Sequence, residues 1–142
     1  MIERPSTASE RSAKVNAKKV LVVDDEEFVR QLIQIKLKFC GIETIEAGNG
    51  ADAVEKAIAE KPDLILLDVM MPKMNGFEAC QRLKAMPETS HIPIVMLTAR
   101  GDPSAKERGE NAGALEYLTK PFSPQKLAER VIEILNQFDT RA

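Results

Sequence analysis

One histidine and two cysteines in 142 residues are too few for the four Cys/His ligands of a structural zinc site, and they form no cluster in the sequence. Both cysteines, Cys40 and Cys80, fall in helix-like, partly apolar stretches, which suits buried reduced thiols better than a disulfide and fits a cytoplasmic location. A basic excess is also missing. Lys and Arg number 20 against 22 Asp and Glu, a formal charge of -2, so no broad positive face for direct nucleic-acid contact is expected. No apolar run approaches the length of a membrane span, and the N-terminal stretch MIERPSTASERSAKVNAK lacks the apolar core of a signal peptide. Its mixture of Ser, Thr, Ala and charges reads as a mobile tail over residues 1–18. The remaining length is that of one ordinary domain, enough to bury a core without disulfide or metal staples.

From Lys19 onward the chain alternates two periods. The short apolar runs VLVV, ETIEA, LILLD, IPIVMLT and ALEYLT read as strands, and the segments between them space apolar residues three and four apart, as helices do. The first helix carries a stripe of Phe28, Leu32, Ile35 and Phe39, and the last a stripe of Leu127, Val131, Ile134 and Phe138, so both are expected to be amphipathic. Gly41 stands where a helix-terminating glycine would. Asn75 can cap the third helix, Asp102-Pro103 opens the fourth and Ser123-Pro124 the fifth. Five strands alternating with five helices imply an α/β fold, with parallel strands, right-handed crossovers and helices on both faces. LILLD and IPIVML are apolar throughout, as strands buried on both faces are. A dinucleotide site would need G-x-G-x-x-G after the first strand; Asp-Asp-Glu-Glu stands there instead.

In such sheets ligands bind beyond the carboxyl ends of the strands. Those ends are Asp24 and Asp25, Ala47 and Gly48, Asp68, Thr98 and Lys120, and only the second lacks a charged or hydroxyl side chain. Each has a plain alternative: the acidic pair could cap a helix, Asp68 could start a loop, Thr98 could bond to backbone and Lys120 could be solvated. Gathered in one pocket, three carboxylates repel one another unless a cation intervenes. Lys120 supplies one positive charge and a divalent ion two more. Oxygen ligands without a His or Cys cluster point to Mg²⁺ or Mn²⁺.

The stretches VLVVDDE, LILLDVMMPKMNGFE, IPIVMLTA and GALEYLTKPF resemble the receiver domain of two-component response regulators. The resemblance places the domain at residues 19–138, between the tail of residues 1–18 and a C-terminal tail of residues 139–142. It implies a flavodoxin-like doubly wound five-stranded parallel sheet in the order 2-1-3-4-5 with five helices. Asn75 stands where an Asp is frequent in the MPxMxG loop, a departure that touches turn chemistry and leaves the phosphorylation site intact.

Roles follow from the resemblance. Asp68 is the implied phosphoacceptor, attacking phosphorus in line and taking the group from a phosphohistidine on a sensor histidine kinase or histidine phosphotransfer protein. Asp25, Asp68 and the backbone carbonyl of Met70 would coordinate Mg²⁺, with Asp24 reaching it through water, while Lys120 pairs with a phosphoryl oxygen. The Lys120-Pro121 bond is expected to be cis. Thr98 and Tyr117 are the implied switch pair. As Thr98 moves towards the phosphoryl group Tyr117 turns inward, reshaping the surface of helix four, strand five and helix five for a downstream protein effector. The chain is then a signalling phosphoacceptor that catalyses only its own phosphorylation and dephosphorylation. Met70 cannot orient a water and Arg100 can reach over the phosphoryl group, so slow hydrolysis is expected.

Other functions fit less well. A haloacid-dehalogenase-type phosphatase wants a second acid two residues after its nucleophile, where Met70 stands. An FMN binder would need a Ser/Thr/Gly-rich phosphate loop after the first strand. A phosphorylation-independent docking module of receiver fold is the stronger rival, but it usually lacks an acid, the acceptor or the lysine, and all are present here. Ala142 follows closely on the fifth helix, so a stand-alone regulator or an excised domain acting by protein contact is expected.

Overall fold

The computed structural model describes residues 18–69, 71, 74–98, 105–120 and 122–138. The elements are β1 (Lys19–Val23), α1 (Glu27–Phe39), β2 (Glu43–Ala47), α2 (Gly50–Glu60), β3 (Leu64–Asp68), α3 (Gly76–Ala85), β4 (Ile94–Thr98), α4 (Ala105–Ala112), β5 (Glu116–Thr119) and α5 (Pro124–Gln137). All strand pairs are parallel, in the order β2-β1-β3-β4-β5 that the resemblance implies. The expectations for residues 1–17 and 139–142, and for Asp102-Pro103, lie outside the described residues.

Alternation along the strands divides the core into two layers. Val20, Val22, Leu64, Leu66, Val95 and Leu97 pack with Ile33 and Leu37 of α1 and with Leu127, Val131 and Ile134 of α5. Leu21, Val23, Ile65, Leu67, Ile94 and Met96 pack on the other face with Ala53 and Ala57 of α2, Cys80 and Leu83 of α3 and Ala112 of α4. Every residue of β3 and β4 is buried, which is why LILLD and IVMLT show no polar alternation. Each fully buried Leu or Ile contributes about 1.5–3 kcal/mol before entropy is counted. Edge strand β2 keeps glutamates exposed, as an edge should.

The two helical stripes read from the sequence have opposite fates. Leu127, Val131 and Ile134 are buried as an amphipathic α5 requires, with Phe138 half-exposed just past the last turn. In α1 the buried row is Ile33 and Leu37, flanked by Val29, whereas Phe28, Leu32, Ile35 and Phe39 point outward. This helix has two apolar rows, and the sheet takes the other one.

Gly41 has φ 80° just after α1, the left-handed conformation that ends a helix. Ser123 caps α5 by accepting from the Lys126 amide at 3.3 Å. Both cysteines are free thiols; Cys80 is buried as expected, but Cys40, just past α1, is only half-buried.

Candidate functional site

The carboxyl ends of β1, β3 and β5 bring four charged side chains together. Carboxylate oxygens of Asp24, Asp25 and Asp68 lie within 4.8 Å of one another. Asp24 is fully buried and held from several directions. Its Oδ1 accepts from the Glu26 amide at 2.9 Å, its Oδ2 from Lys120 Nζ at 2.8 Å, and its backbone carbonyl from Arg30 Nη1 at 2.8 Å. Its own amide continues the sheet ladder to the Ala47 carbonyl at 3.2 Å. Asp25, the next residue, is exposed. The helix-cap alternative fails: the N-cap of α1 is Glu26, which makes no side-chain cap bond, and Asp24 bonds ahead of the helix.

Asp68, the last residue of β3, is buried and accepts from Lys120 Nζ at 3.2 Å. Lys120 follows β5, and its amide donates to the Thr98 carbonyl at 2.7 Å, so β4 fixes where the lysine starts. Burial works against its ammonium, but the hydrogen bond to Asp24 and the charge of Asp68 outweigh it and raise its pKa above the ordinary lysine value. Three formal carboxylates and one ammonium leave the cluster a net charge of -2, all on hard oxygen donors. That donor set fits Mg²⁺ or Mn²⁺.

Gly76 allows α3 to begin directly beneath the β3 end. Its amide donates to the Val69 carbonyl at 2.8 Å, and a Cβ there would collide with the Asp68 carbonyl and Val69 Cα. Asn75 accepts from the Glu78 amide at 2.9 Å, so the residue that departs from the frequent Asp still caps α3.

Thr98 ends β4 with its side chain buried, and its hydroxyl lies a long 3.5 Å from the Leu118 carbonyl. Tyr117 is half-buried on β5, packed against the core layer of α2, α3 and α4. Met70, Arg100 and Pro121, hence the carbonyl ligand, the shielding arginine and the cis bond, lie outside the described residues. Sequence reasoning missed Arg30 and Glu46. Arg30 Nε donates to Glu46 Oε1 at 2.6 Å while its Nη1 holds the Asp24 carbonyl. The available signal was weak: an arginine one turn into the helix that follows the acidic pair.

A model of the response regulator receiver domain matches residues 20–132. The chain belongs to that family. It is 46% identical over 125 residues to the alkaline phosphatase synthesis transcriptional regulatory protein PhoP of Bacillus subtilis, covering 88% of this chain and 51% of that protein. It is 44% identical over 120 residues to the phosphate regulon transcriptional regulatory protein PhoB of Pseudomonas aeruginosa, covering 84% of this chain and 52% of that protein. The chain thus spans about half the length of these curated relatives. A putative response regulator from Chloroflexus aurantiacus superposes with TM-score 0.79 at 40% identity, covering 84% of this chain and 98% of that one. The receiver domain of a signal transduction histidine kinase from Syntrophus aciditrophicus superposes with TM-score 0.81 at 32% identity, covering 88% and 95%. Receiver domains are the signalling phosphoacceptors of two-component systems. Among the described residues, no helix is long and apolar enough to cross a membrane.

Proposed function

We propose that Asp68 receives the phosphoryl group, from a phosphohistidine on a sensor histidine kinase or a histidine phosphotransfer protein. The observation that supports this reading is the convergence of Asp24, Asp25, Asp68 and Lys120 at the carboxyl ends of three parallel strands. An Asp68 oxygen attacks phosphorus in line as the phosphorus–nitrogen bond breaks, giving an acyl phosphate, while the departing imidazole keeps the electron pair and takes up a proton. Asp25, Asp68 and, as the resemblance implies, the Met70 carbonyl would hold Mg²⁺ or Mn²⁺, with Asp24 reaching it through water, and the ion would neutralise charge on the phosphoryl oxygens. Both Asp24 oxygens already have partners, which suits an indirect role. Lys120 holds its proton and transfers its hydrogen bonds to a phosphoryl oxygen.

Thr98 can give up its long bond to Leu118 for a phosphoryl oxygen, and Tyr117 follows inward, so α4, β5 and α5 present the output surface to a protein effector. Residues 19–138 form the receiver unit, working in the cytoplasm, with no direct contact to nucleic acid. The test is labelling with acetyl phosphate and Mg²⁺. Asp68→Asn should lose all label and keep its melting temperature within a few degrees; undiminished or acid-stable label in that variant would overturn the assignment.

A further inference from the structure

The outer row of α1 is apolar and uncovered. Phe28, Leu32, Ile35 and Phe39 are 70%, 39%, 58% and 86% exposed. Single exposed apolar residues are ordinary, but four in one row along about 16 Å of helix form a patch of the kind that marks a contact surface.

We propose that this row binds a second copy of the chain about a two-fold axis, with the two α1 helices antiparallel. The row reads the same in both directions: aromatic, aliphatic, aliphatic, aromatic, at steps of four, three and four residues. An axis midway between Leu32 and Ile35 therefore sets Phe28 against the partner's Phe39 and Leu32 against the partner's Ile35, as a self-complementary interface requires. The steps are also those of a two-helix seam. Charge selects the antiparallel arrangement. α1 opens beside exposed Asp25, Glu26 and Glu27 and closes with Lys36 and Lys38, so antiparallel helices set acidic ends beside basic ends and parallel ones set like against like. A partner of unrelated sequence would demand no such symmetry.

Four side chains per copy cover less than the roughly 800 Å² per partner of a stable interface, so the dimer is a weak one. Weakness has a consequence. Phe28 lies four residues after Asp24, so the second copy sits beside the mouth of the acidic cluster, where any phosphodonor must also approach. Self-association and phosphoryl transfer then compete for one face.

The test is sedimentation velocity of the whole chain from about 5 µM to about 1 mM. The expected result is a concentration-dependent shift to dimer that high salt weakens, and a loss of affinity of about tenfold or more for Leu32→Glu and Ile35→Glu. These variants alter exposed positions, and unchanged melting curves would show them folded. Pairing is tested in a Cys40→Ser background, where a mixture of Phe28→Cys and Phe39→Cys chains should cross-link faster than either alone. A chain monomeric throughout, a dimer indifferent to both glutamates, or faster cross-linking of like with like would overturn the proposal. So would a monomeric chain in which Leu32→Glu impairs only transfer from a kinase, an outcome that would assign the row to the donor.

Discussion

The Lys120 ammonium donates to Asp24, 96 residues earlier in the chain, at 2.8 Å, closer than its 3.2 Å approach to Asp68. Asp24 is fully buried, so this lysine is a large part of what makes a carboxylate tolerable there. Lys120→Met should therefore cost about 1–3 kcal/mol, below the range for a fully buried pair because the lysine is partly exposed. Millimolar Mg²⁺ should return part of the loss by supplying the missing charge. Urea unfolding with and without Mg²⁺ checks both; a variant as stable as the parent in EDTA would mean that the pair contributes nothing net.

Divalent ions should stabilise the unsubstituted chain for the same reason. The acidic cluster holds three carboxylates against one ammonium, and Asp25 is the exposed member. Ten-millimolar Mg²⁺, about 100 times a submillimolar dissociation constant, corresponds to about 2–3 kcal/mol of ligand stabilisation and raises the melting temperature by several degrees. Asp25→Ala should remove most of that gain while melting at or above the parent in EDTA, because one repulsion is gone. Identical melting of the parent in EDTA and Mg²⁺ would refute a cation site.

Much of this arrangement was legible in the chain because each apolar strand stops at the residue that matters. VLVV runs into Asp24 and Asp25, LILLD ends on Asp68 and IVMLT on Thr98. What periodicity could not settle was phase. Residues 27–39 carry one apolar row through Ile33 and Leu37 and another through Phe28, Leu32, Ile35 and Phe39, and only packing against the sheet and α5 decides which is buried. Nor could spacing reveal that Arg30 grips Glu46, since two charged residues 16 apart read as solvated surface until strand register places them together. The preference of Lys120 for Asp24 over Asp68 is likewise a matter of tertiary geometry.

Alkaline pH should destabilise the fold through Cys80. Its thiol is buried in α3, 3.4 Å from the Ala112 carbonyl, and burial pushes its pKa up from 9.0 to about 11 against the opposing charge of Lys84. A group that holds its proton more tightly when folded gives its full stabilisation below the unfolded value and loses it as pH rises through the folded one. Through this thiol stability should thus fall between pH 9 and pH 11, by on the order of 2 kcal/mol, offset in part by Lys84, whose pKa burial lowers so that its contribution rises with pH. Lys120, raised from 10.5, adds a loss in the same direction at higher pH. Urea midpoints across this range are the measurement, and Cys80→Ala, less stable at neutral pH, should show a flatter profile between those two values. An equal alkaline fall in that variant would exonerate the thiol.

Arg30 should govern cation affinity without touching the cation. Its guanidinium holds the Asp24 carbonyl at 2.8 Å and Glu46 Oε1 at 2.6 Å, while Lys56 Nζ holds the Glu46 carbonyl at 2.6 Å. The turn carrying two of the three acids is thereby tied to the end of β2. Arg30→Ala should cost about 1 kcal/mol in stability yet weaken Mg²⁺ binding about tenfold, because the acids lose their fixed spacing. Arg30→Lys should rescue little, since one ammonium cannot reproduce a planar fork that donates in two directions. Glu46→Ala should do less harm than either, because the contact to the Asp24 carbonyl survives it. Melting temperature followed through a Mg²⁺ titration separates positioning from bracing: a titration curve displaced in midpoint supports positioning, whereas one parallel to the parent and lower by a constant would reduce Arg30 to a brace of the fold.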